Sequence, residues 1–198
     1  TQQVSSAASD VYKRQRPNVV IIFTDDQGYA DINTLSAKAL MTPNIDTMVK
    51  EGAIFTGFYV AQPVCSASRA ALLTGAYPNR VGVHGAFMPE SGKGLSLDEF
   101  TLAESLQQAG YATGHFGKWH LGDDPTFMPN NQGFDTFFGI AHSNDMWPHH
   151  PWQGSVFNFS DLVLFDNEEV VEVLDDQSNL TQNLTQRSID FIKENKNR

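Results

Sequence analysis

The chain has 198 residues, 40% hydrophobic and 18% charged, with a formal net charge of −10. That size allows one domain, or part of a larger one, with a sizeable core. The negative charge argues against a nucleic-acid partner, and no apolar run approaches the ~20 residues of a membrane span. The single cysteine, Cys65, excludes an intrachain disulfide framework. An anionic substrate would have to be held by a local cluster of cations, or by a metal, against the field of the whole protein.

Residues 1–15 are polar and lack the apolar centre of a signal peptide; they read as a non-native leader and are set aside. Val19 to Phe23 is a continuous, mostly β-branched run, the pattern of a strand buried on both faces of a parallel sheet. It runs into Thr24-Asp25-Asp26-Gln27-Gly28, at the carboxyl edge where open α/β sheets bind ligands. Thr42 and Pro43 start a helix that Gly52 ends. A strand is expected over Ala53 to Tyr59, and a helix over Cys65 to Thr74 closed by Gly75. Thr101-Leu102-Ala103-Glu104 is a capping-box pattern opening a helix through Gln108.

Tyr111 to Phe116 reads as a strand whose exit carries Gly117-Lys118-Trp119-His120-Leu121-Gly122. Residues 123–160, rich in Pro, Asn, Gly and aromatics, read as long loops. Leu162 to Phe165 and Val170 to Leu174 form a hairpin pattern around Asp166-Asn167-Glu168, and Leu180, Leu184, Ile189 and Ile192 mark a last amphipathic helix. Alternating strands and helices predict an α/β fold with a mainly parallel, mixed central sheet flanked by helices.

Three polar clusters follow strand exits or open helices. Adjacent carboxylates such as Asp25-Asp26 repel each other without a cation, and such oxygen ligands suit a hard divalent ion; the alternative is a turn of solvated side chains. Cys65 opens a helix, where free N–H groups and the helix dipole favour negative charge; a lone cysteine is otherwise a small buried hydrophobe. Lys118 and His120, two apart at a strand exit, would point to one side.

Cys65-Ser66-Ala67-Ser68-Arg69, with its continuation Ala70-Ala71-Leu72-Leu73-Thr74-Gly75, resembles the first signature of the sulfatases. Gly110-Tyr111-Ala112-Thr113-Gly114-His115-Phe116-Gly117-Lys118-Trp119-His120-Leu121-Gly122 resembles their second, and the Asp25-Asp26 segment precedes both in the family's order. The resemblance covers nearly all of residues 16–145 and implies the alkaline-phosphatase-like sulfatase fold. It implies a sulfuric-ester hydrolase acting on a sulfated carbohydrate or aryl sulfate.

By that resemblance Cys65 is oxidised to formylglycine, whose hydrate attacks sulfur through one hydroxyl. The second hydroxyl later loses its proton and expels sulfate, which an ordinary serine could not do. The resemblance makes Asp25, Asp26 and the modified Cys65 ligands of calcium, with magnesium as the alternative ion. Arg69 steadies the diol, Lys118 binds sulfate, His120 takes the diol proton and Ser143 supports the sulfate pocket. A periplasmic or extracellular location goes with the family.

Ala67 stands where many members have proline, which points to a radical-type maturase and a bacterial source. The family's remaining metal ligands, leaving-group histidine and second lysine have no counterpart before residue 198. Residues 16–198 therefore read as the front part of the catalytic domain, incomplete at its C-terminus and inactive alone. The competing readings are a phosphonate or phosphodiester hydrolase of the same superfamily and a non-catalytic sugar-binding relative. Aromatic and histidine-rich loops over 127–159, with Trp147 and Trp152, suggest a rim that stacks on sugar rings.

Overall fold

A computed structural model describes residues 16–35 and 40–196, so the leader assigned to 1–15 lies outside the described residues. The chain divides into two compact units between Thr56 and Gly57.

In the first unit, α1 (Pro43–Glu51) has proline at its first turn and ends where the Gly52 N–H bonds the Met48 carbonyl at 2.9 Å. Thr42 precedes the helix as expected, but its hydroxyl does not cap it. That oxygen accepts from the Asn33 N–H and donates to Asp46, each at 3.1 Å. Asp46 also takes the Thr34 hydroxyl, the Thr34 N–H and the Asn33 amide. These bonds, the Thr34 hydroxyl foremost, hold its carboxyl below the usual range.

Two expected strands do not form among the described residues. Val19 to Phe23 pairs with no strand among the described residues, and Val20 and Ile22 are 66% and 74% exposed. The segment expected to be a strand from Ala53 to Tyr59 bends through a turn at Thr56-Gly57, leaving Phe55 and Tyr59 exposed. Both runs carry the composition of strands, but a strand exists only where a neighbour completes its ladder.

In the second unit, α2 (Cys65–Thr74) ends as expected at Gly75, whose φ of 65° suits the left-handed closing position. The helix α3 (Leu102–Gln108) has the full capping box. Thr101 Oγ1 accepts the Glu104 N–H at 3.1 Å, and Glu104 accepts the Thr101 N–H at 2.7 Å. The sheet follows as β1 (Gly114–Lys118), β2 (Thr136–Ile140), β3 (Val163–Asp166) and β4 (Glu169–Val173), and α4 (Leu180–Asn195) ends the described chain. Strand order is β1-β2-β3-β4, with β1 and β2 parallel and the other two pairings antiparallel, so the sheet is mixed.

β1 starts three residues later than the sequence suggested because Thr113 is committed elsewhere. Its hydroxyl donates to the Gly133 carbonyl at 2.7 Å, and its own carbonyl receives Asp135 and Thr136. β2 lies inside the stretch read as loops. Its pattern is interrupted by Gly139, where a Cβ would sit 1.9 Å from the Gly117 carbonyl oxygen. Only glycine permits that approach of β1 to β2.

Alternation along β2 builds a core on each face of the sheet. Phe137 joins Ala67 and Ala70 of α2, Trp119 and Leu121. Phe138 and Ile140 join Leu162, Leu164 and Leu174, against which Leu180 and Leu184 of α4 pack.

Candidate functional site

α2 contributes one wall. Cys65 is its first residue and is half-buried, while Ala67 and Ala70 press into the core. One turn on, Arg69 donates through a terminal guanidinium nitrogen to the Lys118 carbonyl at 2.6 Å, tying α2 to the end of β1. Lys118 turns its own Nζ to the Ser143 hydroxyl, 2.9 Å away. Four of the residues singled out in the sequence thus fall in the second unit around this junction: Arg69, Lys118, His120 and Ser143.

Strand alternation does not place His120, because β1 ends at Lys118 and His120 has a φ of 57°. A histidine in left-handed backbone is uncommon and is held only by strong surroundings. Its Nε2 lies 2.8 Å from the Phe87 carbonyl, which can only accept, so Nε2 carries the proton. In the neutral ring Nδ1 is then a bare lone pair, buried without a hydrogen-bond partner among the described residues. Burial lowers the pKa of His120 to about 4, and the nearby charges of Lys118 and Arg69 push the same way. The ring is therefore neutral at pH 7, a proton acceptor beside two cations.

Sequence patterns gave no signal for the residues that orient this ring. Ser66 is fully buried, and its hydroxyl accepts the Phe87 N–H at 3.0 Å, fixing the carbonyl that fixes His120. Phe87 acts through its backbone, which no side-chain motif reveals. His115 was quoted only as part of the second signature. Its ring meets Trp119, Phe134 and Phe137 at 5.3–5.6 Å, and its buried Nδ1 has no partner. Burial, with the Arg69 charge second, takes its pKa down to about 3.

Beyond Ser143, His142 donates its Nδ1 hydrogen to the Ser143 carbonyl at 3.1 Å. Burial lowers its pKa, while Asp123, Asp145 and Glu90 act to raise it. The adjacent histidines 149 and 150 serve different neighbours. His149 packs on Trp147, and His150 sits among Trp152, Phe157 and Phe159. The two rim tryptophans also part company, since Trp147 packs against the second core cluster and Trp152 is 59% exposed.

Asp25 and Asp26 belong to the first unit. Asp26 has a φ of 50°, a conformation Asp tolerates better than most residues. Adjacent carboxylates are hard-ion ligands and fit calcium, which takes six to eight oxygens. Among the described residues, no three His, Cys, Asp or Glu side chains gather as a metal shell, so the pair supplies only part of such a set.

The family model described as Sulfatase matches residues 17–198. Arylsulfatase G of Rattus norvegicus is 39% identical over 96% of this chain and 40% of its own length. Arylsulfatase A of Homo sapiens is 48% identical over 67% of this chain and 27% of its own. The crystal structure of Ps i-CgsB in complex with k-i-k-neocarrahexaose matches at a TM-score of 0.79 and 32% identity, over 93% of this chain and 43% of that one. The chain thus spans about two fifths of the length of the first of these relatives.

Proposed function

This chain belongs to the sulfatase family, and from that premise we propose that residues 16–198, inactive alone, supply the front part of a catalytic domain that hydrolyses a sulfated carbohydrate or aryl sulfate through residue 65. The observation that carries the reading is the junction of α2 and β1. Two cations, Arg69 and Lys118, stand beside a neutral histidine whose buried Nδ1 is bare. Cations at this spot supply the local attraction for an anion that a chain of net charge −10 otherwise lacks.

Residues 16–198 form the front part of the catalytic domain in this reading. Cys65, as hydrated formylglycine, would supply the nucleophilic oxygen and a second hydroxyl, and calcium, for which Asp25 and Asp26 would be ligands, would supply Lewis acidity. Lys118 binds a sulfate oxygen, with Ser143 holding its ammonium in place. Arg69 neutralises charge one turn from residue 65. His120 accepts at Nδ1 the proton that must leave residue 65 before sulfate departs, its tautomer set in advance by Phe87. The oligosaccharide in the Ps i-CgsB complex supports a carbohydrate over a simple aryl ester. A radical-type maturase and an extracytoplasmic site of action complete the proposal; among the described residues, no helix is long and apolar enough to cross a membrane.

Coexpression with a radical-type or an oxygen-dependent maturase, followed by peptide mass spectrometry, should show aldehyde at residue 65 with the radical type. Modification by the oxygen-dependent enzyme alone sinks the maturase assignment. Calorimetric titration with a sulfated monosaccharide should show binding that Lys118→Ala weakens about tenfold or more. Tighter binding of the matching phosphate ester would favour the phosphoester alternative. An unmodified Cys65 in a chain that still binds the sugar would favour a non-catalytic relative.

A further inference from the structure

Next to the His120 junction runs a groove that none of the roles above uses. Met88, Pro89 and Glu90 form one side; Val156, Phe157, Asn158, Phe159 and Ser160 form the other, enclosing about 260 Å³. That is just below the ~300 Å³ at which pockets take drug-sized ligands, a size for one sugar ring. Its first side is the direct continuation of Phe87, whose carbonyl holds His120. A ring bonded to a sulfated ring at the junction would enter here.

The groove is built rather than incidental. Glu90 has a φ of 59°, strained for a residue with a side chain. Two contacts hold it there: its N–H donates to Asp123 at 2.6 Å, and its carboxylate accepts the Ser160 hydroxyl, tying the two sides together. The far side is equally ordered. Gln153 and Phe159 exchange side-chain-to-backbone bonds at 2.9 and 3.0 Å, and Phe157 and Phe159 stack at 4.8 Å.

Charge changes sign along the path. Arg69 and Lys118 stand at the junction, whereas the groove carries the Glu90 carboxylate, with Asp123 bonded to the Glu90 N–H, and the charge of both reaches His142. A carboxylate accepts hydrogen bonds from sugar hydroxyls and repels a second sulfate or a uronate.

We propose that Glu90 makes this groove a subsite for an uncharged, hydroxyl-bearing sugar unit beside the sulfated one, selecting against substrates sulfated on both rings. This rests on the reading of the junction as the sulfate site.

The test uses the whole chain at about 0.15 M salt, where the distant surface charges are largely screened. Calorimetry compares a galactose disaccharide sulfated on one ring, the same disaccharide sulfated on both, and the sulfated monosaccharide. Wild type should bind the singly sulfated disaccharide about tenfold tighter than the doubly sulfated one. Glu90→Gln should reduce that ratio to under about threefold and Glu90→Lys should invert it. Glu90 is exposed, so both variants should fold, and both should keep wild-type affinity for the monosaccharide. Chemical-shift changes on disaccharide binding should include Met88 and Phe157 to Ser160.

A ratio unchanged in Glu90→Gln, wild-type indifference to the second sulfate, or no disaccharide binding at all would overturn the subsite. Monosaccharide binding untouched by Lys118→Ala would instead sink the sulfate-site reading, while the Glu90 ratio is scored separately.

Discussion

The two units of this chain treat similar apolar segments in opposite ways. In the first, Ile22 of a five-residue apolar run is 74% exposed and α1 has no buried residue. In the second, Phe137 and Phe138 of a strand of the same length feed two core clusters, one on each face of the sheet. Hydrophobicity states a demand for burial; partners decide whether the demand is met. In the second unit the partners are α2 on one face and α4 on the other.

The contrast breaks first if the second unit tolerates loss of a core ring. Phe137→Ala should destabilise the chain by about 3–5 kcal/mol in urea unfolding. Next comes pH. His115 and His120 stay neutral in the folded chain down to about pH 3 and about pH 4, while the unfolded imidazoles take protons near 6.5. The unfolded state therefore binds more protons below neutrality, and stability falls as pH drops. Between pH 7 and 5 the loss should be about 2 kcal/mol per histidine, and His115→Met should remove its share. Unfolding midpoints independent of pH over that range would contradict the burial of both rings.

A smaller effect is expected at the α3 cap. Thr101→Ala removes the cap and a buried bond to the Gln132 carbonyl, at a cost of about 1–2 kcal/mol by the same unfolding measurement. The smallest belongs to the first unit, where Ile22→Ala should change stability by no more than about 0.5 kcal/mol. A larger loss there would mean that the run is buried in solution, erasing the contrast.

Much of the second unit was legible because its signals are local. Gly75 closes α2, Thr101 and Glu104 cap α3, and Asn167, at φ 55°, turns the hairpin between β3 and β4. β2 was not legible, since Gly139 reads as a strand breaker until the Gly117 carbonyl opposite it is known. The first unit misled for the converse reason, because Val19 to Phe23 has the composition of a strand but does not form one among the described residues. In the candidate site, resemblance to the sulfatase signatures singled out Arg69, Lys118 and His120, and a further resemblance singled out Ser143. The Ser66–Phe87 contact that sets the His120 tautomer joins residues 21 apart through a backbone group and leaves no trace in spacing.

The burial of Ser66 and Ala67 also bears on when the proposed oxidation of Cys65 would take place. Any enzyme that reads residues 65–69 as a motif must touch these two side chains, and the folded chain leaves neither accessible. On the proposed reading, oxidation of Cys65 would therefore belong to the time before α2 docks, while the segment is still extended. A chain that folded first would then have closed the window on that modification, however well formed the rest of its site.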